Sequence, residues 1–568
     1  MKYFFFLISF TKIKNLIFVF SLLSITTVLE YLFVFSVPFL FKIIFQEQNE
    51  FINYFNNFGF LEKSDIFKVI LLIIIFFFFV KNVFYFINQY FFLKYSFSIH
   101  NNLTRILFSK YLSTNYQIFI NSESSLLIRN VINNTGVVRN LILNITTLFS
   151  EVLVFIGLCA IIIYQSTLMS LFSIAFIIFF SAVYLYYSRH LSKNWSLKIQ
   201  DYEQLKIRSV QESFSGFKEL KLLDKEKLFL NDFNINNQKS NSLTLKFSLL
   251  YAFPRVYLEV VGALGLVLLV LLNMDKTDNK SFVSVIPMLG LYFVAFLRLL
   301  PSANRILNSI EAHRFSFPVL KILYHDFVKL GNKSLEKSVQ HLNFKKNLNF
   351  KNVHFSYLIP KNKKKIFKNL NLIIKSGEKI GIIGDNGVGK TTFVNLLSGL
   401  LQPNNGLILV DGKSIKNNIK NWQSNIGYIY QSTFLMNDTI ENNICFNEVK
   451  NNDHYLKIKK INTLIGFDKF LKNLPKGLNT IVGEGGAKLS GGQKQRIGIA
   501  RALYFDRKIL ICDEITSSLD RNAENSVIRC LKNINKTIII ISHKIDNLRF
   551  CSKIYKISNE KITLVKTR

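Results

Sequence analysis

Cysteine is scarce in this chain of 568 residues, and its five cysteines form no C-x-x-C pair. Without such pairs, neither a zinc ribbon nor a dithiol redox motif is indicated. Four of the five fall in the C-terminal part, where we expect a reducing compartment. We therefore interpret all of them as structural thiols, at positions Cys159, Cys445, Cys512, Cys530 and Cys551.

Acidic residues are also few, with 36 Asp and Glu against 71 Lys and Arg, for a formal net charge of +35. A chain this basic would usually suggest nucleic-acid binding. No base-reading motif accompanies the charge, so we expect no nucleic-acid partner. In a membrane protein, excess Lys and Arg on the cytoplasmic side instead sets orientation and meets anionic lipid headgroups.

Charged residues are rare within the apolar runs of the first 300 residues, and several of these runs reach the roughly 20 residues that cross a hydrocarbon core. So many long runs in succession disfavour the alternative of core helices in a large soluble protein. A chain of this length should also hold more than one domain. We predict six transmembrane spans, at about 15–45, 67–93, 141–164, 168–187, 247–272 and 282–300.

The segments between these spans differ in length and charge. Short polar links join the third span to the fourth and the fifth to the sixth, whereas long basic segments separate the second from the third and the fourth from the fifth. The positive-inside rule places the long links and the N-terminus in the cytoplasm. Residues 1–10 lack a small-residue cleavage site and are expected to form an interfacial helix. Residues 47–65 are either a short helix on the outer surface or a plain loop.

Three motifs follow in the soluble part. Residues 384–391 fit the P-loop pattern G-x-x-x-x-G-K-[ST], residues 489–493 read LSGGQ, and an apolar run at 509–512 ends in Asp513-Glu514. In this order they resemble the nucleotide-binding domain of ATP-binding cassette (ABC) transporters. The resemblance implies a polytopic α-helical membrane domain of the ABC exporter type with six transmembrane helices, followed by an α/β P-loop NTPase domain that uses ATP and Mg²⁺. The expected domains are 1–315, a linker at 316–345, and 346–568.

The P-loop carries the clearest chemistry. Its glycines free backbone N–H groups to wrap phosphates, and the helix that begins at Lys390 adds its N-terminal partial charge. Lys390 neutralises phosphate oxygens and the Thr391 hydroxyl is a ligand for Mg²⁺. The predicted phosphate-binding residues are Gly384, Asp385, Asn386, Gly387, Val388, Gly389, Lys390, Thr391 and Thr392.

The resemblance also implies roles outside the P-loop. Tyr357 would stack on adenine and Gln431 would contact Mg²⁺ or water, although a surface tyrosine and a surface glutamine are the simpler alternatives. Asp513 would orient Mg²⁺ through water, Glu514 would polarise the attacking water, and His543 would contact the γ-phosphate.

The LSGGQ segment implies a partner. In the resembled family its Ser490, Gly491, Gly492 and Gln493 complete the site of a second subunit, and Asp520 lies at the dimer seam. Two copies would then enclose two ATP molecules, and every expected residue is present, so a homodimer with two competent sites is predicted. Short coupling helices are expected near 113–124 and 213–222.

Four segments of the membrane part bear on the transported molecule. These segments, at 128–130, 210–223, 254–259 and 298–305, resemble bacterial flippases of lipid-linked oligosaccharides. Cations in or near the spans usually face a water-filled cavity, and a basic lumen would suit a pyrophosphate head group. The alternatives are a drug, lipid or peptide exporter, and cations that merely pair with Glu30, Glu259 or Glu311. An anchored translation or repair ATPase would lack the six spans. The predicted substrate residues are Lys81, Arg255, Arg298 and Arg305, and the predicted location is a bacterial inner membrane.

Overall fold

The computed structural model describes residues 2–10, 13–45, 63–165, 167–274, 282–331, 342–359, 362–448, 453–516, 519 and 521–567. The chain divides into two compact units, one formed by residues 1–114 and 119–334 and the other by 115–118 and 335–568. The predicted segment at 47–65 lies almost wholly outside the described residues, as does Asp520.

The described residues of the first unit form helices joined by turns and short links. Its long helices are α2 (Ile13–Phe45), α3 (Lys63–Ser113), α6 (Thr135–Gln165), α7 (Thr167–Ser215), α9 (Glu226–Met274) and α10 (Phe282–Lys329). Short helices α1 (Lys2–Ile8), α4 (Tyr116–Ile120), α5 (Ser124–Arg129) and α8 (Phe217–Leu223) complete the helical part. Residues 116–118 of α4 are assigned to the second unit.

Six long helices thus stand where six spans were predicted. Within the described residues, five of them are long and apolar enough to cross a membrane, at Ile13–Leu32, Ile75–Ser113, Ser124–Ile161, Ile174–Ser215 and Glu226–Gly265. The helices α3, α7, α9 and α10 each run for 48 to 51 residues, well beyond the roughly 20 that a bilayer needs. The helix α10 reaches Lys329, so the first part of the linker expected at 316–345 is helical, because apolar residues such as Leu320 and Leu323 continue to be buried there.

The N-terminal helix α1 packs against the far end of α10. Tyr3 and Phe6 meet Phe317, Tyr324 and Phe327 in edge-to-face pairs with ring centroids 5.0 to 5.4 Å apart. Such pairs add to the area that they bury. A short helix at the start of the chain was predicted, and its aromatic face is held by protein rather than left open.

A π-helix interrupts the regular repeat just before α6, at Asn130–Asn134. The buried Asn130 Nδ2 donates to Asp326 Oδ2 at 2.6 Å and to the Tyr111 hydroxyl at 3.1 Å. Arg129, also buried, donates to the Gln200 carbonyl at 2.7 Å. The irregular turn therefore aims polar side chains at three neighbouring helices, as π-turns inside α-helices often do.

The second unit contains two sheets. The first is four-stranded and antiparallel in the order β2-β1-β4-β5, formed by β1 (Asn347–Ile359), β2 (Asn362–Lys375), β4 (Asn405–Val410) and β5 (Lys413–Ser414). The second has the order β10-β9-β3-β8-β7-β6, formed by β3 (Lys379–Ile383), β6 (Ile426–Ile429), β7 (Ile509–Asp513), β8 (Thr537–Ile541), β9 (Lys553–Ser558) and β10 (Lys561–Thr567). Its strands β9, β3, β8, β7 and β6 are parallel to one another, and β10 pairs with β9 in the antiparallel direction.

The parallel strands are buried on both faces, as their continuous apolar sequences require. Alternate residues serve two cores: Ile511 and Ile541 belong to one, and Cys512 and Ile540 to the other. The surrounding helices are α11 (Lys390–Leu397), α12 (Ile419–Gln423), α13 (Ile440–Cys445), α14 (His454–Leu464), α15 (Asp468–Lys472), α16 (Gly491–Tyr504) and α17 (Arg521–Asn533). All five cysteines are unpaired, and four of them are buried in this unit.

Two glycines on α6 permit a matched test of packing in the first unit. A Cβ at Gly157 would lie 2.1 Å from the Tyr31 ring, whereas a Cβ at Gly136 would meet nothing within 4 Å. We expect Gly157→Ala to lower the melting temperature of the purified protein, because α2 and α6 would have to separate. We expect Gly136→Ala to leave it unchanged or to raise it, because alanine favours the helix by about 0.5–1 kcal/mol.

The measurement is thermal unfolding in one detergent for both variants. Tyr31→Ala added to Gly157→Ala should recover part of the loss, since it removes the ring that clashes. Equal melting temperatures for the two single variants would contradict the close approach.

Candidate functional site

The predicted site residues converge because four parallel strands end at one edge of the larger sheet. The strand β3 ends at Ile383, before the P-loop, and β6 ends two residues before Gln431. The strand β7 ends at Asp513, and β8 ends two residues before His543. The loops beyond the carboxyl ends of such strands form the usual binding crevice of an open α/β sheet.

The P-loop adopts backbone angles that its glycines allow. Gly387 has φ +81° and Gly389 has φ +109°, both in the left-handed region. At Gly389 a Cβ would lie 2.5 Å from Ile366 Cγ2, so the close approach of β2 also demands glycine. The helix α11 begins directly afterwards, and its free N–H groups and dipole favour an anion. The loop therefore fits a phosphate-bearing ligand.

Four predicted side chains form one continuous chain of polar contacts. Lys390 Nζ lies 2.8 Å from the Gly384 carbonyl and 2.8 Å from His543 Nε2. The same His543 nitrogen lies 2.9 Å from Glu514 Oε1. Gln431 Nε2 donates to Glu514 Oε2 at 2.9 Å. The structure thus brings together a lysine, a glutamine, a glutamate and a histidine that lie in four separate segments of the sequence.

Three carboxylates lie near the amine of Lys390. Burial lowers the pKa of Lys390, while the nearby Glu514, Asp513 and Asp385 raise it. An incoming triphosphate would compete with these groups for the amine.

Glu514 occupies an uncommon backbone conformation, with φ +49°. Its amide donates to the Ile541 carbonyl at 3.1 Å, which ties the residue to the end of β8. A non-glycine residue in this region costs free energy, and such residues cluster at functional sites. The turn directs the Glu514 carboxylate toward Gln431 and His543.

Asp513 is half-buried and has a phenol partner. Tyr428 donates its hydroxyl proton to Asp513 Oδ2 at 2.9 Å. Burial raises the pKa of Asp513, and the bond from Tyr428 lowers it in part. Burial and the Asp513 charge raise the pKa of Tyr428, so the phenol stays protonated and acts as the donor. No sequence motif indicated Tyr428, but its position in β6 on the same sheet face as Asp513 could have.

The oxygen donors at this edge suit a hard cation. The Thr391 hydroxyl, the Asp513 carboxylate and the Gln431 amide oxygen are the ligand types that Mg²⁺ accepts. Within the described ranges no three His, Cys, Asp or Glu side chains are grouped as a metal cage. Such a sparse donor set fits Mg²⁺, which is usually held by one or two protein oxygens together with substrate phosphates and water.

Tyr357 lies on β1 and reaches the P-loop helix. Its hydroxyl is 3.2 Å from Thr392 Oγ1, and its ring meets Phe355 edge-to-face with centroids 5.0 Å apart. The simple alternative of an isolated surface tyrosine is therefore disfavoured. The ring stands beside the predicted phosphate site, where a base could stack on it.

The LSGGQ segment opens the helix α16 with Ser490 as its N-cap. The backbone N–H of Gln493 donates to Ser490 Oγ at 3.3 Å, and the backbone N–H of Ser490 donates to Gln493 Oε1 at 2.8 Å. This capping box occupies the Gln493 side chain, so Gln493 orients the turn. The exposed Ser490 hydroxyl proton and the Gly491 amide remain at the helix N-terminus, where an anion would be favoured.

The cations predicted for the membrane unit have carboxylate partners. Lys81 Nζ lies 2.5 Å from Glu30 Oε2, and the lysine side chain is only 9% exposed. Arg305 Nε lies 2.8 Å from Glu151 Oε1 and keeps 52% of its side chain exposed. Ser302 Oγ donates to the same Glu151 carboxylate at 2.9 Å.

Arg255 pairs with Glu259 one helical turn away, at 3.2 Å, and is 77% exposed. The third carboxylate considered as a partner, Glu311, is buried and instead meets Arg314 at 2.6 Å. The side chain of Arg298 lies outside the described atoms. Pairing is thus found for three of the four cations, and two of those three still present an accessible guanidinium.

Comparison with known proteins identifies the family. Residues 14–273 match the ABC transporter transmembrane region, and residues 367–517 match the ABC transporter family. The chain belongs to the ABC transporters and has their transmembrane region and ATP-binding domain fused in one polypeptide.

Several relatives share part or most of this length. The ATP-dependent lipid A-core flippase of Desulfotalea psychrophila is 30% identical over 65% of this chain, and the match spans 64% of that protein, less than two thirds of its length. The protein of the same name from Wigglesworthia glossinidia brevipalpis is 28% identical, over 84% of this chain and 82% of its own. P-glycoprotein 14 of Caenorhabditis elegans is 34% identical over 49% of this chain and 20% of its own length.

A solved structure shares the fold. A bacterial Atm1-family ABC exporter with ATP bound superposes with a TM-score of 0.79 and 17% sequence identity, covering 97% of this chain and 95% of that one. The predicted architecture, a helical exporter-type membrane domain followed by an α/β ATP-binding domain, is therefore confirmed.

Proposed function

We propose that this protein is an ATP-hydrolysing exporter that moves an amphipathic lipid substrate across a bacterial inner membrane. The continuous contacts among Lys390, His543, Glu514 and Gln431 at the sheet edge are the observation that carries the proposal. They unite a phosphate-binding cation with a carboxylate that can polarise water. In this proposal the N-terminus and the ATP-binding domain face the cytoplasm, and the long helices span the membrane.

ATP binding would begin at the P-loop. Lys390 would exchange the Gly384 carbonyl and His543 for phosphate oxygens, and the glycine amides would donate to the same phosphates. Thr391, Asp513 and Gln431 would hold Mg²⁺, which when bound neutralises phosphate charge. Tyr357 would support the adenine ring.

Hydrolysis would use Glu514. Its carboxylate can accept a hydrogen bond from a water molecule aimed at the γ-phosphate. His543 and Gln431, which contact the two Glu514 oxygens, would orient that carboxylate. General-base assistance of this kind contributes about 10²–10⁴-fold.

A second copy of the chain would complete each site. Ser490, with its exposed hydroxyl and the amides of Gly491 and Gly492 behind it, would cap the γ-phosphate held by the P-loop of the partner. The capping box supports this proposal because it fixes the turn without using the serine proton. Asp520 is proposed to lie at the seam between the copies.

The cargo is proposed to be a polyprenyl-pyrophosphate-linked oligosaccharide or a related lipid-linked glycan. Relatives named ATP-dependent lipid A-core flippase support a lipid cargo. Arg255 and Arg305 support it physically, because their guanidinium groups remain accessible in or beside the apolar helices. Lys81 contributes less, since its amine is buried against Glu30. Arg298, two helical turns before Arg305, is proposed to act with it.

The catalytic proposal predicts that Glu514→Gln keeps ATP binding and slows hydrolysis at least about a hundredfold, because the amide cannot take up a proton. Phosphate release and retention of labelled ATP are measured on the full-length protein in nanodiscs. The exposed Glu448→Gln is the matched control and should hydrolyse ATP like the wild type. Near-normal turnover in Glu514→Gln would remove Glu514 from catalysis.

The composite site predicts complementation between subunits. Homodimers of Lys390→Ala and of Ser490→Arg should both lack ATPase activity, while a purified mixed dimer with one of each retains one intact site and part of the activity. Pairing a wild-type chain with a chain carrying both substitutions is the control. It leaves no intact site if the subunits complete each other, and one intact site if each chain completes its own. Activity in that control dimer would contradict the proposal.

The cargo proposal predicts that Arg255→Gln combined with Arg305→Gln abolishes flipping of a pyrophosphate-linked lipid and leaves basal ATPase largely intact. Each charge-assisted contact is worth about 1.5–3 kcal/mol, so either single variant should weaken substrate stimulation by about tenfold or more. Arg208→Gln is the matched control, because Arg208 makes an exposed pair one turn away with Glu212, like that of Arg255 with Glu259.

Substrate-stimulated ATPase is compared for pyrophosphate-linked lipids and uncharged hydrophobic drugs. Wild-type flipping by the double variant would make the arginines structural. Stimulation by drugs alone would favour a drug exporter with the same ATPase.

A further inference from the structure

Tyr428 is a residue at the ATP-binding edge that no P-loop, LSGGQ or Asp-Glu motif contains. It lies in β6 opposite Ile511 of β7, and Ile511 precedes Asp513 by two residues. Side chains two apart on a strand share a face, so Tyr428, Ile511 and Asp513 point to the same side of the sheet. The neighbours Ile429 and Cys512 belong to the core on the other side. The strand register therefore delivers the phenol to the carboxylate.

The resulting bond restricts the Asp513 carboxylate. The terminal torsion of an aspartate is broad and twofold, so an unrestrained carboxylate samples many orientations. Here Oδ2 accepts the Tyr428 hydroxyl proton at 2.9 Å. An ionised carboxylate has about four acceptor positions, so the remaining ones, including those of Oδ1, stay open for water or a cation. The hydroxyl selects one orientation before a metal arrives.

The phenol is itself held in place. Tyr428 is half-buried, and its ring meets the Tyr430 ring edge-to-face with centroids 3.9 Å apart. A side chain anchored in a strand and packed against an aromatic neighbour loses little further freedom when it forms its hydrogen bond. A rigid donor on a rigid strand is what precise support of a metal-binding carboxylate requires.

We propose that Tyr428 is a positioning residue for Mg²⁺ at the ATP site, acting through the hydrogen bond from its hydroxyl to Asp513. This inference rests on the proposed function, because it concerns how the same site takes up its metal. Tyr428 does not touch the phosphates and supplies no group to the reaction. Its contribution is to present the Asp513 carboxylate in one orientation.

Supporting residues of this kind usually change metal affinity or activity by about 10–100-fold when mutated. Tyr428→Phe deletes the hydroxyl and keeps the ring. We expect it to raise the Mg²⁺ concentration at half-maximal effect by about tenfold. The turnover number at saturating Mg²⁺ should approach that of the wild type, because an excess of metal can select the productive orientation by mass action.

Two readouts are made on the full-length protein in nanodiscs. A fluorescent ATP analogue is titrated in EDTA, and then at a fixed concentration with increasing Mg²⁺; ATPase activity is recorded over the same Mg²⁺ series. Tyr430→Phe is the matched control: among the described residues, the phenol bonded to Asp513 is that of Tyr428, and Tyr430 is 49% exposed. The melting temperature in EDTA is measured for both variants.

Support requires nucleotide binding in EDTA within twofold of the wild type for both variants, and a raised Mg²⁺ requirement in Tyr428→Phe alone. A Mg²⁺ requirement in Tyr428→Phe within twofold of the wild type overturns the inference. An equal loss of nucleotide binding with and without Mg²⁺, accompanied by a lower melting temperature, also overturns it, because the hydroxyl would then brace the fold. If wild-type protein binds no nucleotide in a Mg²⁺-dependent way, the proposed function itself fails.

Discussion

The common edge at which the parallel strands β3, β8, β7 and β6 end is the constraint on which the second unit depends. Parallel pairing puts all four carboxyl ends on one side, and burial of both faces leaves the loops beyond that edge as the place for polar side chains. Four residues far apart in sequence can then touch: Gln431, Glu514, His543 and Lys390. A shift of one strand by one residue would send its side chains into the opposite core.

The membrane unit obeys a different constraint. In hydrocarbon an unpaired charge is expensive, so cations on apolar helices are expected to meet carboxylates or water. The pairs Lys81–Glu30 and Arg305–Glu151 each link two different long helices. They hold pairs of helices together and also balance charge. The exposure of Arg305 shows that a paired guanidinium can remain accessible. The same side chain can brace a helix and still offer N–H groups to an anion.

Much of the ATP-binding domain could be predicted because its motifs sit at strand ends. The strand at 379–383 and the helix from Lys390 agree with the structure, since apolar β-branched runs followed by a glycine-rich loop admit few other conformations. The capping role of Gln493 and the phenol on Asp513 were not predicted, because both depend on the partner that a side chain finds in space. The ion pair of Arg305 with Glu151 was likewise hidden, since nothing in an apolar helix sequence says which neighbouring helix faces a given residue. The pair of Glu311 with Arg314 lies within one helix at i,i+3 spacing, which the sequence could have indicated. The helical continuation to Lys329 was not predicted, although apolar residues such as Leu320 and Leu323 recur there at helical spacing and are buried.

The π-helix at Asn130–Asn134 changes the rotational orientation of α6 relative to α5. A π-turn accommodates one residue more than the α-helical repeat, so α5 and α6 are rotated relative to each other by about 100° compared with an uninterrupted helix. Arg129 and Asn130, at the start of this turn, contact Gln200 and Asp326. Removing a single residue here would restore a regular helix, yet every side chain on one side of the deletion would then face a different neighbour. An insertion or deletion in this stretch would therefore rotate one part of the helix relative to the other. A gap placed here in a family alignment would mark a changed helix–helix contact surface, whereas a gap in a loop would mark only a changed loop length.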